Sequence, residues 1–567
     1  MSVTCDLSRR AAMRLLGLAA ATAPFGAAWA DMGDDDWAKI LPAQAPAKPK
    51  KPRRLLIFGR NVDYGNGHSS IPVANQAFTR MGKKTGAFET VISNDPQIFQ
   101  PATLKTFDAV FMNNTVGNLF TDPLLRKSLL EFVTGGGGLM GVHGTSVAFT
   151  RWAEHGKEDW PEFAILFGMR GAYHRANTEQ VVMKLEEPGH PILTCFNGKE
   201  FPLQDEFFRP KGTYSRLRDR VLFGLDLEKS QLQNEPRDGA FREDRDYAMA
   251  WVRQYGRGRI FYTAFGHHPA IFRNPKLLEM YLAATQFVLG DLDAPTIPSA
   301  KVTPAIRAQE KLGWKLGVEA YTFHKNTFFE TIDKAHAMGL AYVGGLSFQK
   351  VSAENPKNLT PDLSDEELQA VRLKLDAAGM RILTYYYQTI PGDETGCRKV
   401  FEFGRKLGIT CFMSEPALES LPLIDRMAQE YGIKVGLHNH GPKQSPNTWS
   451  PEKILEVCRP YSSMIGAAAD LGYWTRAGID LEKALTLLKQ RIITLQVHDL
   501  DAAGKDVPWG TGRCQLEAFF RKVRALGIQP EMFGLEYSEN FGANDEAVKT
   551  SAAFFNQVSL KMAEEVK

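Results

Sequence analysis

Cysteine is scarce in this chain, and its few cysteines lie far apart. The 567 residues contain six cysteines, and no C-x-x-C pair occurs among them. Neither a zinc knuckle nor a disulfide framework is therefore indicated. The cysteines after residue 30 are expected to be mostly buried small hydrophobic side chains: Cys195, Cys397, Cys411, Cys458 and Cys514.

An excess of charge of either sign is also lacking. The formal net charge is +3 over the whole chain, and removing residues 1–30 would leave about +1. A nearly neutral protein gives no electrostatic reason to expect nucleic acid or an anionic membrane as partner. We expect a small-molecule partner, and the sequence leaves open whether the protein forms a homo-oligomer. The length and the 44% hydrophobic content predict two folded domains.

Residues 1–30 resemble a twin-arginine export signal. The sequence SRRAAMR precedes an apolar, alanine- and leucine-rich stretch that ends in A-W-A, the pattern of a cleavage site. A membrane anchor is the alternative, but the stretch is short and contains Pro24 and Gly26. We therefore expect a cleaved signal, a periplasmic protein and no stable membrane span after cleavage.

The next segments predict a tether and an α/β domain. Residues 31–52 are rich in proline, alanine and lysine, which is typical of an extended tether. In residues 53–290 the apolar runs RLLIFG, ETVISN, FDAVFMNN and GGLMGVHG alternate with helical spacing. This alternation predicts a doubly wound, mostly parallel sheet covered on both faces. A later stretch, YAMAWVRQYGRGRIFYTAFGHH, predicts two strands joined by a glycine turn.

A second α/β rhythm follows the irregular, proline-containing linker predicted at 291–312. Residues 313–567 contain eight apolar runs, each followed by a helix-length segment: LGVEAYTF, AYVGGLSF, RILTYYYQ, ITCFMSEP, IKVGLHNHG, IGAAADLGYW, IITLQVHDLD and MFGLEYSE. Eight such units predict a (β/α)₈ barrel, whose strands gather polar residues at their C-terminal ends.

The last five runs end in residues suited to metal binding or acid/base chemistry. Glu415, Asp470 and Glu536 end strands four, six and eight, and three unpaired anions there would repel unless a cation were bound. His438 and His440 share one face of strand five, as Gln496 and His498 share one face of strand seven. Carboxylates mixed with imidazoles suit a divalent metal such as Mn²⁺, Co²⁺, Zn²⁺ or Mg²⁺.

These motifs resemble the xylose-isomerase-like TIM-barrel superfamily of sugar isomerases, epimerases and inosose dehydratases. The matching elements are GVEAYTF, the His-Asn-His of strand five, AADLGYWTRAGID, VHDLDAAGKDVPWGTG and GLEYSE. The resemblance implies one divalent metal held by Glu415, Asp470, His498 and Glu536. The family's strand-seven histidine aligns with either Gln496 or His498, so both stay open as the ligand.

The chemistry implied by this resemblance is proton abstraction beside a carbonyl through an enediolate. The candidate catalytic residues are Glu415, Glu536, His438 and His440. The candidate substrate-binding residues are Tyr321, His324, Trp474 and Gln496. For the aromatic side chains, packing within the barrel is an equally good interpretation.

The first domain resembles the trehalose-utilisation (ThuA-like) family, whose fold is like that of class I glutamine amidotransferases. The resemblance rests on GGGGLMGVHGTSVAF, GAYHRA, DEFF and AWVRQYGRGRIFYTAFGHH. Where those enzymes carry a nucleophilic cysteine this chain has His143, so glutamine hydrolysis is not expected. A second polar pocket at the strand ends is predicted from His68, His143, His174, Glu206 and His267.

We therefore expect a metal-dependent isomerase or epimerase of a non-phosphorylated sugar or keto-sugar. One alternative is a lyase or hydrolase of 3-keto-glycosides, in which a proton removed beside the keto group expels the glycosidic oxygen. Another is a carbohydrate-binding protein without catalysis.

Overall fold

The computed structural model describes residues 32–152, 156–170 and 172–566. The predicted export signal at 1–30 lies outside the described residues. Within the described part of the chain, every helix is too short or too polar to cross a membrane.

The predicted tether is more ordered than its composition indicated. Helix α1 spans Asp34–Ile40 and begins with three aspartates, which suit the positive end of a helix dipole. Residues 41–52 have no regular structure, yet their backbone binds the first domain. The N–H of Ala47 donates to Gln286 and the N–H of Lys50 donates to Asp291, both at 2.9 Å. These hydrogen bonds hold residues 47–50 against the domain, so this part is not a free tether.

The first domain contains a nine-stranded mixed sheet in the order β2-β1-β3-β4-β11-β10-β9-β6-β7, and β5 pairs with β8 separately. Strands β1 to β11 span Arg54–Phe58, Glu89–Ser93, Ala109–Asn113, Gly138–Val142, Ala172–Tyr173, Glu179–Leu185, Phe201–Asp205, Arg209–Pro210, Arg220–Leu225, Ala248–Tyr255 and Gly258–Thr263. Helices α2 to α6 span Ser70–Thr85, Pro101–Leu104, Pro123–Thr134, Pro161–Phe167 and Pro275–Val288.

The sequence analysis expected most of this sheet to be parallel, but only about half of its strand pairings are. Strands β2, β1, β3, β4 and β11 run parallel, whereas β10, β9, β6 and β7 are joined by antiparallel pairings. The tight turn at Gly256, with φ of 60°, forces β10 and β11 to be antiparallel. The C-terminal ends of β1, β4 and β11 still meet at one edge of the sheet, where ligands bind in open α/β folds.

The second domain is a closed barrel of eight parallel strands, as predicted. Its strands, β12 to β18 and β21, span Leu316–Val318, Tyr342–Leu346, Arg381–Tyr386, Cys411–Ser414, Lys434–His438, Ile465–Asp470, Ile492–Val497 and Phe533–Leu535, and β19 (Asp499–Leu500) pairs with β20 (Asp506–Val507). Helices α7 to α16 span Pro304–Leu312, Phe328–Ala337, Asp365–Ala377, Glu394–Leu407, Leu421–Tyr431, Pro451–Cys458, Leu471–Arg476, Leu481–Leu488, Leu516–Ala525 and Asp545–Glu564.

The predicted linker is partly helical. Helix α7 lies within residues 291–312, and its Gln309 side chain donates to Asn556 of α16 at 2.7 Å. Thr303 caps this helix by accepting the N–H of Ile306. The second half of the predicted linker is therefore a helix packed on the barrel domain.

Two close contacts join the sheet domain to the barrel. Arg253 of β10 is fully buried and pairs with Asp219 in its own domain and with Asp376 of α9 in the barrel domain. Gly408 ends α10, and a Cβ atom there would lie 2.4 Å from the Cα atom of Gly256. Glycine is required at this approach because no larger residue fits.

Candidate active site and a second polar cluster

Three of the predicted metal ligands meet at the C-terminal mouth of the barrel. Asp470 ends β17, His498 follows β18 and Glu536 follows β21. All three are buried, and their donor atoms lie within 4.8 Å of one another. The Nε2 atom of His498 is 3.5 Å from Asp470 Oδ2 and 3.9 Å from Glu536 Oε1. We refer to Asp470, His498 and Glu536 as the barrel triad.

Asp506 orients the imidazole of His498. Its Oδ2 atom lies 3.1 Å from His498 Nδ1, and its carboxylate also accepts the N–H of Ser538 and a guanidinium N–H of Arg476. The Nε2 atom of His498 is buried without a hydrogen-bond partner. A carboxylate on one nitrogen and an open second nitrogen is the usual arrangement of a metal-binding histidine. The sequence analysis missed Asp506, because only the β19–β20 turn returns it to His498.

Gln496 and His498 both face the site, as their alternation along β18 predicted. Gln496 Nε2 donates to Glu536 Oε2 at 2.8 Å, and Gln496 Oε1 is buried without a hydrogen-bond partner. Only His498 of the two belongs to the barrel triad. The geometry favours His498 as the ligand and Gln496 as the residue that orients Glu536.

Glu415 lies in a neighbouring group instead of in the barrel triad. Its donor atoms cluster with those of His438 and His440, and His440 Nδ1 is 2.8 Å from Glu415 Oε1. The hydroxyls of Tyr386 and Ser445 also donate to its carboxylate, at 3.0 and 2.5 Å. This differs from the single four-ligand site that the resemblance implied. The reason is that β15 and β16 are adjacent, so His438 and His440 at the end of β16 are the nearest neighbours of Glu415.

Glu319 is a buried carboxyl group that the sequence analysis did not single out. It follows β12, is 2% exposed, and accepts the hydroxyl of Thr384 at 3.1 Å on both oxygens. A Cβ atom at Gly344 or Gly534 would lie 2.0 or 2.2 Å from its carboxylate oxygens, so both glycines make room for it. The available signal was its position at the end of the first apolar run, where the later runs also carry their acids.

Two predicted substrate-binding residues lie at the rim, and one does not. The ring of Tyr321 is stacked on that of His324 at 4.7 Å, and both rings contact Phe541. Tyr321 is 37% exposed, so it is available to a ligand. Trp474, by contrast, is fully buried in the hydrophobic core between strands and helices. Its place on α13 turns the indole away from the mouth, and its role is packing.

Tyr386 is the aromatic residue of β14 that enters the site. Its hydroxyl binds Glu415, and its ring contacts that of His438 at 5.3 Å. The sequence analysis did not single out Tyr386. Tyr385 is fully buried and packs against Phe403 on the helix side of the strand. Alternation along β14 therefore turns Tyr386 into the barrel and Tyr385 toward the helices.

The electrostatics of the barrel triad favour a bound cation. Burial raises the pKa of Glu536 to about 7, and the negative charge of Asp470 adds to this effect. Burial opposes a charged His498, but Asp470 and Asp506 outweigh it and raise the pKa of this imidazole well above its usual value. A divalent ion would take the place of that proton, since metal binding to such ligands releases protons.

Glu415 and His440 form a separate ion pair. Burial opposes ionisation of Glu415, but hydrogen bonds from His440 and Ser445 hold its pKa below the usual value. Burial likewise opposes a charged His440, and the same hydrogen bond raises the pKa of the imidazole. Their neighbour His438 is different, because burial lowers its pKa to about 4 and keeps it neutral.

The residues of the barrel triad fit a divalent metal. Two carboxylates and one imidazole converge, and the Nε2 atom of His498 is buried and unsatisfied. Mixed oxygen and imidazole ligands suit Mn²⁺, Co²⁺ or Zn²⁺. When bound, such an ion would polarise a substrate carbonyl.

The residues predicted for a second pocket lie close together at the C-terminal edge of the sheet. The rings of His68, His143 and His267 lie 5.1 to 5.3 Å apart. Glu206 Oε1 is 3.2 Å from His143 Nε2, and its Oε2 is 3.3 Å from His174 Nδ1 and 3.9 Å from His267 Nε2. We refer to His68, His143 and His267 as the sheet cluster.

Two family profiles match the chain. The trehalose utilisation (ThuA) profile covers residues 54–288, and the xylose isomerase-like TIM barrel profile covers residues 332–558. No curated protein matches the chain.

Several solved structures are similar to parts of the chain. An uncharacterised protein from Parabacteroides distasonis is 29% identical, with 43% of this chain and 99% of that chain covered and a TM-score of 0.37. A D-tagatose 3-epimerase-like protein is 17% identical, with 44% and 98% covered and a TM-score of 0.36. The IOLI protein with a bound zinc atom is also 17% identical, with 44% and 98% covered and a TM-score of 0.34.

Proposed function

Because this chain joins a ThuA domain to a xylose isomerase-like TIM barrel, we propose that the barrel is a divalent-metal-dependent isomerase or epimerase of a non-phosphorylated sugar or keto-sugar. The observation that carries the proposal is that the barrel triad and a second group, Glu415 with His438 and His440, both lie at the barrel mouth. Catalytic residues of TIM-barrel enzymes lie at this face.

The placement of two carboxylates supports proton transfer on both faces of a substrate. Glu415 follows β15 and Glu536 follows β21, the fourth and eighth strands of the closed barrel. Three strands lie between them in either direction, so they approach the mouth from opposite sides. Removal of a proton by one carboxylate and its return from the other side would invert the carbon between them, which is epimerisation.

The two carboxylates differ in protonation. The hydrogen bonds from His440, Ser445 and Tyr386 keep Glu415 ionised, so it is the better proton acceptor in the free protein. Burial raises the pKa of Glu536 to about 7 in the metal-free chain. An ion bound at the barrel triad would lower this pKa, so Glu536 would return a proton only after taking one up from solvent or substrate. Tyr321 and His324 at the rim would contact the sugar, and Gln496 holds Glu536 in position.

The proposal is tested by exchange in D₂O. The metal-reconstituted mature protein is incubated with simple ketoses and with 3-keto-disaccharides, and the products are followed by NMR. We expect deuterium at the carbon beside the carbonyl with the carbon skeleton and glycosidic linkage intact. Glu415→Gln should slow this exchange by about 10²- to 10⁴-fold, the usual contribution of a general base. Glu456→Gln, an exposed carboxylate on α12, should leave the rate unchanged.

Three results would contradict the proposal. Metal-dependent cleavage of the glycosidic bond without exchange in the ketoses would point to a 3-keto-glycoside lyase. Sugar binding without exchange or cleavage would point to a non-catalytic carbohydrate-binding protein. Exchange that is equal in wild type and Glu415→Gln would remove Glu415 from the mechanism.

A further inference from the structure

The sheet cluster brings together three histidines from different parts of the first domain. His68 lies in the loop between β1 and α2, His143 follows β4 and His267 follows β11. Each offers a ring nitrogen within 4.8 Å of those of the other two. His68 and His143 are 7% and 0% exposed, and His267 is partly exposed, so the cluster is buried on one side and open on the other.

Four ring nitrogens of the cluster make no hydrogen bond. His68 Nδ1, His267 Nδ1 and both ring nitrogens of His143 are buried without a hydrogen bond. Each unsatisfied buried polar atom is unfavourable for folding, and most buried polar groups in proteins are paired. Histidines placed only for structure would be expected to bind nearby carbonyls or hydroxyls. His190 of the same domain does so, because its Nε2 atom is 3.1 Å from the carbonyl of Pro295.

The backbone around the cluster is arranged to hold these rings. His143 has a φ of 40°, an unfavourable value for a residue with a Cβ atom, at a sharp turn from β4 into a short 3₁₀ helix. Asn114 fixes this turn by accepting the N–H of Gly144 at 3.0 Å. A Cβ atom at Gly144 would lie 2.9 Å from the ring of His68, so glycine lets the two histidines meet. Strain of this kind is concentrated at functional sites.

Asp205 fixes the loop that carries the third histidine. Its buried carboxylate accepts the backbone N–H groups of Gly266, His267 and His268 at 2.6 to 3.0 Å. Its sequence neighbour Glu206 then lies beside the ring nitrogens of His143 and His267. The carboxylate of Glu206 lies 3.2 Å from His143 Nε2 and 3.9 Å from His267 Nε2, close enough to balance the charge of an ion held by the histidines.

We propose that the sheet cluster binds a divalent transition-metal ion of the zinc class, with His68, His143 and His267 as ligands and Glu206 as the neighbouring anion that balances its charge. Neutral imidazoles are the form that binds such ions. The ion would satisfy the buried ring nitrogens, and the exposed side of the cluster leaves a position for water or substrate. The site is distinct from the barrel triad and does not depend on the function proposed for the barrel.

The test separates the two sites by mutation. The full mature chain carrying Asp470→Asn and His498→Gln, which removes barrel ligands, is stripped of metal with a chelator and titrated with Zn²⁺ against a competing indicator. We expect this variant to bind one Zn²⁺ ion tightly. Adding His68→Gln should weaken that binding by at least about 10- to 100-fold. Adding His190→Gln instead should leave it unchanged.

A second measurement identifies the ligands in chains that fold. X-ray absorption of the zinc-loaded barrel variant should show the scattering of several imidazole rings, and circular dichroism should show that each variant is folded. The proposal is overturned if the folded barrel variant binds no Zn²⁺ tightly, or if His68→Gln and His190→Gln bind it equally. Loss of zinc from wild type by His68→Gln alone would support the sheet site even if the barrel binds no metal.

Discussion

Replacing Glu319 with glutamine should change how the stability of the protein depends on pH. Glu319 is buried between Gly344 and Gly534. Burial raises its pKa from 4.5 to about 8, and the negative charge of Glu536 adds to this effect. In the folded chain the group therefore stays protonated through neutral pH, whereas in the unfolded chain it ionises near pH 4.5. Glutamine has nearly the same shape as the protonated acid, so Glu319→Gln removes the titration and keeps the packing.

The sign follows from proton binding. Between pH 4.5 and about 8 the unfolded state has lost the proton and the folded state has kept it, so the free energy of unfolding falls as pH rises. The stabilising contribution is complete below pH 4.5 and is lost by pH 8. Each pH unit within the window changes the free energy of unfolding by about 1.4 kcal/mol. Over two pH units, the wild type should lose about 3 kcal/mol relative to Glu319→Gln.

The measurement is denaturant unfolding of the metal-free full chain at several pH values from 5 to 9, followed by tryptophan fluorescence. The difference between wild type and Glu319→Gln should fall steadily up to about pH 8 and then become constant. Glu482→Gln, an exposed change on α14, should show no such slope. A pH-independent difference for Glu319→Gln would refute the reasoning, because it would mean that Glu319 is ionised in the folded chain.

Three further changes test the barrel. Asp506→Asn should weaken metal binding at the barrel triad by about 10- to 100-fold, because it removes the carboxylate that orients His498. Competition titration with a metal indicator would measure this, and an unchanged affinity would exclude that role for Asp506. Trp474→Ala should destabilise the protein by about 3 to 5 kcal/mol without changing KM, since the indole is buried in the core. Tyr321→Ala should instead raise KM with little loss of stability, and the opposite pattern in the two variants would reverse their assigned places.

The sequence by itself determined the two folds and the grouping of three polar residues at the barrel mouth. Eight apolar runs with helix-length spacing sufficed for the barrel, because each strand is buried and each run carries its polar residue at the same end. For the same reason Asp470, His498 and Glu536 could be placed together although they are far apart in the chain. The histidines of the sheet cluster and Glu206 were likewise predicted from their positions near strand ends.

Only the tertiary structure decided how these residues pair. Whether Glu415 meets the barrel triad or His440 depends on which strands are neighbours and on the path of each loop, and Asp506 reaches His498 only through the β19–β20 turn. Trp474 and Tyr386 show the same limit, because the inward or outward direction of an aromatic side chain depends on the exact ends of its helix or strand. Local sequence patterns determine which elements form, whereas the contacts between distant side chains are set by how those elements close around a common core.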